Sequence, residues 1–461
     1  MLIQLYNSLS KSKEDFIPIL SNKVGLYVCG PTVYDYPHLG NARSVVVYDI
    51  LYRLLRHHYG NNNVTYVRNI TDVDDKIITS ARNQNSSIQD ITNKFTKIFH
   101  EDVTSLNCLS PSIEPKATEH IAEIIDLIES LIARSHAYIV NSHVYFDITS
   151  FTEYFHLSSR PIKEMITSNR IYIDSNKKHP GDFVLWKPAD EEDDISSIFP
   201  SPWGKGRPGW HIECSAMSMK YLGPNFDIHG GGSDLIFPHH TNEIAQSCCS
   251  SDNIRFAKYW VHNGFLTVNG EKMSKSLGNF TTVRDLLNKG IKGEVIRYLL
   301  LSTHYRKPLD FNNKSLEDAQ KSMDSFYRTI TKYPNINNDN VEIDNRAYSA
   351  ICDDLNTPEV VSILHVLTKD INKETNETQK LKLIEIFKNS ANFIGLLTFT
   401  PTQWFQNIND NSLLIEQKIV ERTHAKLSKN WQLADQIRNQ LKEQGIILED
   451  TGDGQTLWRK I

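Results

Sequence analysis

Apolar and polar positions alternate with two different periods along the first part of the chain. From Ala42 to Tyr59, the residues Val46, Val47, Ile50, Leu51, Leu54 and Leu55 recur at helical spacing. Short β-rich apolar runs flank that helix, Gly25-Leu26-Tyr27-Val28 before it and Val64-Thr65-Tyr66-Val67 after it. Strand, helix and strand in succession predict a parallel sheet wrapped by helices. Beyond residue 116 the pattern changes. Ile121, Ile124, Ile125, Ile128, Leu131 and Ile132 mark an amphipathic helix, followed by strand-like Val144-Tyr145-Phe146 and a charged, Pro/Gly-rich stretch from Lys187 to Gly209. The sheet pattern then resumes with Phe226-Asp227-Ile228-His229, the glycines Gly230-Gly231-Gly232, and Tyr259-Trp260-Val261-His262.

This pattern predicts an α/β, doubly wound, Rossmann-like domain split by an inserted subdomain, with a helical bundle and a small module behind it. The expected boundaries are 1–115 and 206–265 for the two halves of the nucleotide-binding domain, 116–205 for the insertion, 266–325 for a lysine-containing loop region, 326–398 for the bundle and 410–461 for the terminal module. Polar linkers near Tyr333 to Asn345 and Thr398 to Ser412 separate the last parts.

Composition adds bounds rather than identity. The 461 residues, 39% of them hydrophobic, suffice for several cores, and no apolar run approaches the roughly 20 residues a membrane helix needs. The N-terminus lacks the apolar core of a signal peptide, so a cytoplasmic protein without a membrane partner is expected. Six cysteines are too sparse for a disulfide framework. A net charge of −5 means that any nucleic-acid contact must come from local basic patches. In the stretch from Glu416 acidic residues interleave with the basic ones, which on charge alone describes a solvated helical face.

Two distant segments carry phosphate chemistry. Pro37-His38-Leu39-Gly40-Asn41 lies between a strand and the start of a helix, where backbone amides attract anions. His38 can donate a hydrogen bond to a phosphate gaining charge, and Gly40 lets a ligand approach the backbone. Lys272-Met273-Ser274-Lys275-Ser276 is a loop of mobile point charges able to sit over a triphosphate. Each alone is weak, since a His near a helix start is usually a cap and Lys/Ser loops are usually solvated. Their pairing in this order resembles the class I aminoacyl-tRNA synthetases, and implies ATP bound with Mg²⁺ by His38, Gly40, Asn41, Lys272, Ser274 and Lys275. That family most often has a second His where this chain has Asn41, which can still donate a hydrogen bond but cannot carry charge.

Cys29, Cys214, His239 and Glu243 are candidate metal ligands, with His239 and Glu243 four apart beside Pro238 and therefore on one helical face. Their thiolate, imidazole and carboxylate character suits zinc better than calcium or magnesium. Spacing alone does not choose between this and two buried cysteines beside a common His-x-x-x-Glu pair. The runs Tyr27-Val28-Cys29-Gly30-Pro31-Thr32-Val33-Tyr34-Asp35, Tyr66-Val67-Arg68-Asn69-Ile70-Thr71-Asp72 and Pro208-Gly209-Trp210-His211-Ile212-Glu213-Cys214-Ser215 resemble the cysteinyl-tRNA synthetases, and the similarity continues through Phe226 to Gln246, the lysine loop and, more loosely, the end of the chain.

The resemblance implies one zinc per chain that binds the thiol of the substrate, and a ligase, expected as a monomer, whose partners are L-cysteine, ATP and cysteine tRNA. It implies Thr71 and Trp210 close to the amino acid, Asp234 at the ribose, His262 and Gly264 near the adenine, and Trp431, Ala434 and Asp435 on an anticodon-binding helix. Four protein ligands alone would instead describe a closed structural zinc. Two rivals stand beside this reading. One is a cysteine ligase acting on an amino sugar, against which the long C-terminal half argues; the other is a non-catalytic zinc protein that binds RNA, against which the intact lysine segment argues.

Overall fold

In the computed structural model, residues 1–158, 175–190, 193–252, 254–273, 278–333, 342–406, 412–450 and 456–460 are described. Ser274 and Lys275 lie outside them. Two compact units emerge: Met1–Ala319 with Asp344–Ile363 and Phe393–Gly395, and Gln320–Ile343 with Leu364–Asn392 and Leu396–Ile461.

The first unit is built on four parallel strands in the order Phe256–Asn263, Asn225–Gly232, Val24–Val28, Val64–Arg68. Strand Val24–Val28 is buried at Val24, Leu26, Tyr27 and Val28, as a strand covered on both faces must be. Helix Leu39–Tyr59 makes the first crossover and buries all six apolar residues predicted to face the sheet. Its Tyr48 hydroxyl lies within hydrogen-bond reach of the carbonyls of Gly231 (2.8 Å) and Val261 (2.7 Å), either of which can accept its one proton. A Cβ at Gly230 would stand 2.3 Å from the Tyr48 ring, so this glycine is what lets the helix seat on the sheet.

The chain builds outward from Val24–Val28 to Val64–Arg68 and later returns to the opposite side with Asn225–Gly232. That reversal opens a crevice at the carboxyl ends of the strands, where ligands of doubly wound sheets bind. Cys29, Asn69, Gly232 and Asn263 all stand at this end.

The inserted region carries helix Ile121–Ala133 over an antiparallel sheet ordered Ala137–Val140, His143–Phe146, Phe183–Pro188, Gly206–Pro208. Ile124, Ile128 and Leu131 join Val144, Phe146, Leu185 and Trp186 in one core, against which Ile121, Ile125 and Ile132 pack half-buried. The Pro/Gly-rich stretch therefore contains strand residues at both ends. Gly206 and Gly209 allow it, because a Cβ at either would lie 2.2 Å or 2.1 Å from a neighbouring carbonyl oxygen. Arg207 is buried there and pairs with Asp75 and Asp193.

In the second unit Tyr327 stacks on Trp404 at 4.2 Å, and Trp404 donates from its indole nitrogen to Asp324 at 2.9 Å. The terminal helices Ser412–Leu427 and Trp431–Glu443 and the hairpin Ile446–Asp450/Thr456–Lys460 share a core of Ile415, Ile419, Ile437, Leu441, Ile446, Leu448 and Trp458. Trp431 and Asp435 are exposed on the second helix, whereas Ala434 is 3% exposed and faces that core side. Among the described residues no helix is long and apolar enough to cross a membrane.

Candidate active site

Cys29 follows the first strand, Cys214 lies on helix Trp210–Leu222, and Glu243 lies in the first turn of helix Thr241–Ser250. His239 departs from the sequence expectation in one respect. The regular helix starts only at Thr241, and Ile236–His240 form a π-helical turn interrupted by extended Phe237, so Pro238 precedes the helix rather than opening it. The pair still meets, with His239 Nε2 at 3.1 Å from Glu243 Oε1.

One ligand atom from each of Cys29, Cys214, His239 and Glu243 lies within 4.8 Å of the others. A second set, Cys29, His229, His240 and Glu243, satisfies the same test. The first set fits a metal better, because each of its non-sulfur donors has one atom toward the centre while the other is held from outside. Glu243 Oε2 is taken by His229 Nε2 at 2.8 Å, leaving Oε1 toward Cys29 Sγ at 3.5 Å. His239 Nδ1 is 2.8 Å from His211 Nδ1, while its buried Nε2 is turned inward, 3.1 Å from Glu243 Oε1. Outer groups that orient the inner donors are the usual surround of a metal. His240 has the same form, Nδ1 against His262 Nε2 at 2.8 Å and Nε2 against Cys29 at 3.4 Å, but its partner in the second set, His229, spends Nε2 on Glu243 of that set and has no outer group on Nδ1.

Electrostatics agree with that arrangement. Burial works against the His239 cation, yet Glu243 and Cys214 beside it hold its pKa up to about 10. Glu243 resists burial because of His229 and His239, and stays well below the usual carboxylate range. A hydrogen bond from Cys29 and the nearness of His239 bring the Cys214 thiol down to about 6, while burial and the Cys214 charge push Cys29 well up. These neighbours favour negative charge on Cys214 and Glu243 beside His239, and a dication bound by such donors displaces their protons.

Asn69 links this centre to the rest of the crevice, and sequence reasoning missed it. It is fully buried; its Oδ1 accepts from the Gly30 amide (2.9 Å) and the Tyr27 hydroxyl (3.1 Å) and lies 3.6 Å from Cys214 Sγ. Its Nδ2 donates to Thr71 Oγ1 at 3.2 Å, and Thr71 donates onward to Glu213 at 3.2 Å. The Thr71 proton is thereby committed, so its remaining lone pair suits a donor such as an ammonium. Trp210, 40% exposed, covers His239 with ring centroids 4.3 Å apart. His211, His229 and His240 were also missed. The available signal was histidine in otherwise apolar strand and helix positions.

At the start of helix Leu39–Tyr59, His38 is the N-cap: its Nδ1 accepts from the amides of Gly40 (3.0 Å) and Asn41 (3.3 Å), and Asn41 Oδ1 accepts from the His38 amide at 3.2 Å. With Nδ1 an acceptor, a neutral His38 carries its proton on Nε2, the atom a phosphate would need. Asn41 is thus fixed as the reciprocal half of a capping box. The early segment also meets the chain just downstream of the lysine segment. Leu39 donates its amide to the Thr281 carbonyl (3.1 Å), Val283 to that of Pro37 (3.2 Å), and the His38 and Phe280 rings lie 5.4 Å apart. Lys272 is exposed at the end of strand Glu271–Lys272, and Asp234 is exposed just past Gly232. His262 stands apart from these, its ring nitrogens engaged by His240 and by Ser8 at 2.8 Å.

Comparison with known proteins places this geometry in context. The family profile described as tRNA synthetases class I (C) catalytic domain matches residues 15–321, and that described as DALR domain matches 346–398. A cysteine–tRNA ligase of Rickettsia felis is 56% identical over 456 residues, covering 99% of this chain and 98% of that protein. One of Wolbachia pipientis wMel is 56% identical over 460 residues, covering 99% and 100%. Among solved structures, the Agrobacterium radiobacter LeuRS–tRNA–LeuAMS ternary complex superposes with a TM-score of 0.57 at 10% identity over 84% of this chain and 87% of that one. Mycobacterium tuberculosis methionyl-tRNA synthetase bound by methionyl-adenylate gives 0.53 at 13% identity over 81% and 90%. These two likenesses speak to the fold alone. The relatives described here are cysteine–tRNA ligases, and neither an amino-sugar acceptor nor a non-catalytic RNA-binding protein is supported by them.

Proposed function

This chain belongs to the cysteine–tRNA ligases of the class I synthetases and joins cysteine to tRNA using ATP, and we propose that it recognises its amino acid through a zinc ion held by Cys29, Cys214, His239 and Glu243. The observation that carries this is the convergence of those four donors, with His239 Nε2 turned toward Glu243 Oε1 at the centre and its Nδ1 held from outside by His211. Bound there, zinc would supply affinity for a thiolate, which a serine hydroxyl, protonated and hard, cannot match. A pocket that read size alone would separate two such near-isosteres by only roughly 10- to 200-fold.

The protein's own groups position the reactants. Thr71 accepts from the cysteine ammonium, with its hydroxyl proton already given to Glu213. Trp210 walls off the side chain. Asp234 accepts from the ATP ribose, and His262 backs the crevice from behind His240. Cysteine carboxylate then attacks the α-phosphate, the α–β bridge breaks, and pyrophosphate leaves with its charge met by His38 Nε2–H, the Gly40 and Asn41 region, Lys272, Ser274, Lys275 and Mg²⁺. The terminal ribose of tRNA next takes the cysteinyl group from AMP, with the exposed Trp431 and Asp435 available to the anticodon. We place this reaction in a monomer working in the cytoplasm.

Cysteine-dependent exchange of pyrophosphate into ATP tests the reading, run beside serine and beside metal analysis. Exchange with cysteine, none above background with serine, and one zinc per chain are expected; equal exchange with both amino acids would remove the zinc argument. Lys275→Ala should slow exchange on the order of 10²-fold, the scale of losing one preorganised charge on a transition state, while zinc content stays at the wild-type value. An unchanged rate would contradict the part given to that lysine.

A further inference from the structure

Arg43 is an arginine that the reaction above does not use, buried to 1% exposure one turn into helix Leu39–Tyr59 and two residues beyond Asn41. Its hydrogen-bond partners among the described residues are all backbone carbonyls. Nη1 donates to Gly264 (2.9 Å) and Phe265 (2.6 Å), and Nη2 donates to Lys307 (2.5 Å), His304 (3.3 Å) and Tyr305 (3.4 Å). Burial without a carboxylate draws the guanidinium down to about 10, so it remains a cation at neutral pH, met only by peptide dipoles at Nη1 and Nη2, with its Nε buried and unbonded. An apolar side chain would fill the same space without the cost of a buried charge. What arginine alone offers is a rigid planar fork that can grip two separate segments at once.

The two segments it grips are the stems of one small sheet. Gly264-Phe265 leads into strand Leu266–Val268, which pairs with Glu271–Lys272, and His304–Lys307 leads into strand Leu309–Phe311, parallel to Leu266–Val268. The joint is tight. The Gly264 amide donates to Tyr305 at 2.7 Å, and a Cβ on Gly264 would stand 2.7 Å from the Lys307 oxygen and 2.8 Å from that of Arg306. On the downstream side, Thr281 and Val283 are bonded directly to Leu39 and Pro37. The chain that bears Lys272 is therefore tied to the same helix before and after the lysine segment, by Arg43 on one side and by the His38 turn on the other.

We propose that Arg43 is a positioning residue that fixes the sheet carrying Lys272 relative to the His38–Asn41 helix start, and so sets the spacing of the two phosphate-binding segments during adenylate formation. This rests on the ATP-site reading given above. Arg43 is buried and spends its hydrogen bonds on backbone carbonyls; it acts through the backbone it holds. Misplacement on the scale of an ångström costs on the order of 10²-fold in rate.

Arg43→Lys, Arg43→Gln and Gly264→Ala test it from both sides of the joint, with KM for ATP measured in each so that a lost adenine contact at Gly264 is told apart from a moved sheet. Each should lower kcat for pyrophosphate exchange between about tenfold and 10²-fold. KM for cysteine, zinc content and the transfer of cysteine from preformed enzyme-bound adenylate to tRNA should stay at wild-type values. Lysine should fail almost as glutamine does, because a point charge cannot bridge two segments. Should Arg43→Gln not fold, the other two variants decide. Unchanged exchange in folded variants overturns the proposal, and so does a parallel fall of exchange, transfer and titratable active sites, which would mean general loosening. Lys272→Ala separates the two levels. If it slows exchange while the Arg43 variants do not, the positioning role alone falls; if it leaves exchange intact, the ATP-site reading falls and this inference with it.

Discussion

Cys214→Ser protein should purify with little zinc and should exchange pyrophosphate on the order of 10³-fold more slowly with cysteine, a loss of about 4 kcal/mol. The reason lies in how little else distinguishes the substrate. Thr71 and Trp210 meet groups that serine shares, so removing a thiolate ligand removes the discriminating contact and leaves the general ones. Cys214 is buried beside Asn69 on helix Trp210–Leu222, and a serine there is smaller but fits. The parallel sheet and the helices should therefore persist, which circular dichroism and a melting curve check. Selectivity for cysteine over serine should shrink toward the roughly 10- to 200-fold that size alone allows. Full zinc occupancy in the variant, or undiminished selectivity without metal, would contradict the assignment of these four ligands.

His38→Asn should leave stability nearly unchanged and still lower exchange by 10²- to 10³-fold, the usual scale for one lost donor to a developing anion. His38 has two separable jobs. Its Nδ1 caps the helix by accepting from Gly40 and Asn41, while its Nε2–H is what the phosphate reading requires. Asparagine is among the best N-cap residues, so it replaces the first job but is too short for the second. His38→Ala loses both and should cost about 1 kcal/mol of stability in addition. Melting temperatures beside exchange rates resolve the two. Wild-type exchange in His38→Asn would show that the histidine is a cap and nothing more.

Much of this molecule was legible in its residues, for local reasons. The period of Val46, Val47, Ile50, Leu51, Leu54 and Leu55 specifies a helix with one buried face, and the β-rich runs on either side specify covered strands, so a doubly wound sheet follows from patterning that every short window carries. The long motif runs carried family membership for the same reason, because chemistry that needs particular atoms leaves particular letters. Less legible was the stretch from Lys187 to Gly209. Its glycines and prolines read as irregular, but Gly206 and Gly209 serve strand residues pressed against neighbouring carbonyls. Local composition cannot distinguish a glycine that bends a loop from one that admits a backbone.

What tertiary structure alone decided is which polar side chains face inward together. Cys29 and Cys214 come from different halves of the domain, and nothing in their spacing says that both end at the same crevice. His211 and His229, which hold the outer atoms of His239 and Glu243, are single histidines in the sequence and became parts of one centre only when the strand and helices that carry them packed together. Arg43 is the sharpest instance. As a letter it is a cation on a helix, and its five carbonyl partners lie more than two hundred residues away. Periodicity determines which face of an element is buried, because the hydrophobic effect acts on each residue singly. Hydrogen bonds and metal ligation need directed partners at about 3 Å, and which partners arrive is settled only when the whole sheet closes.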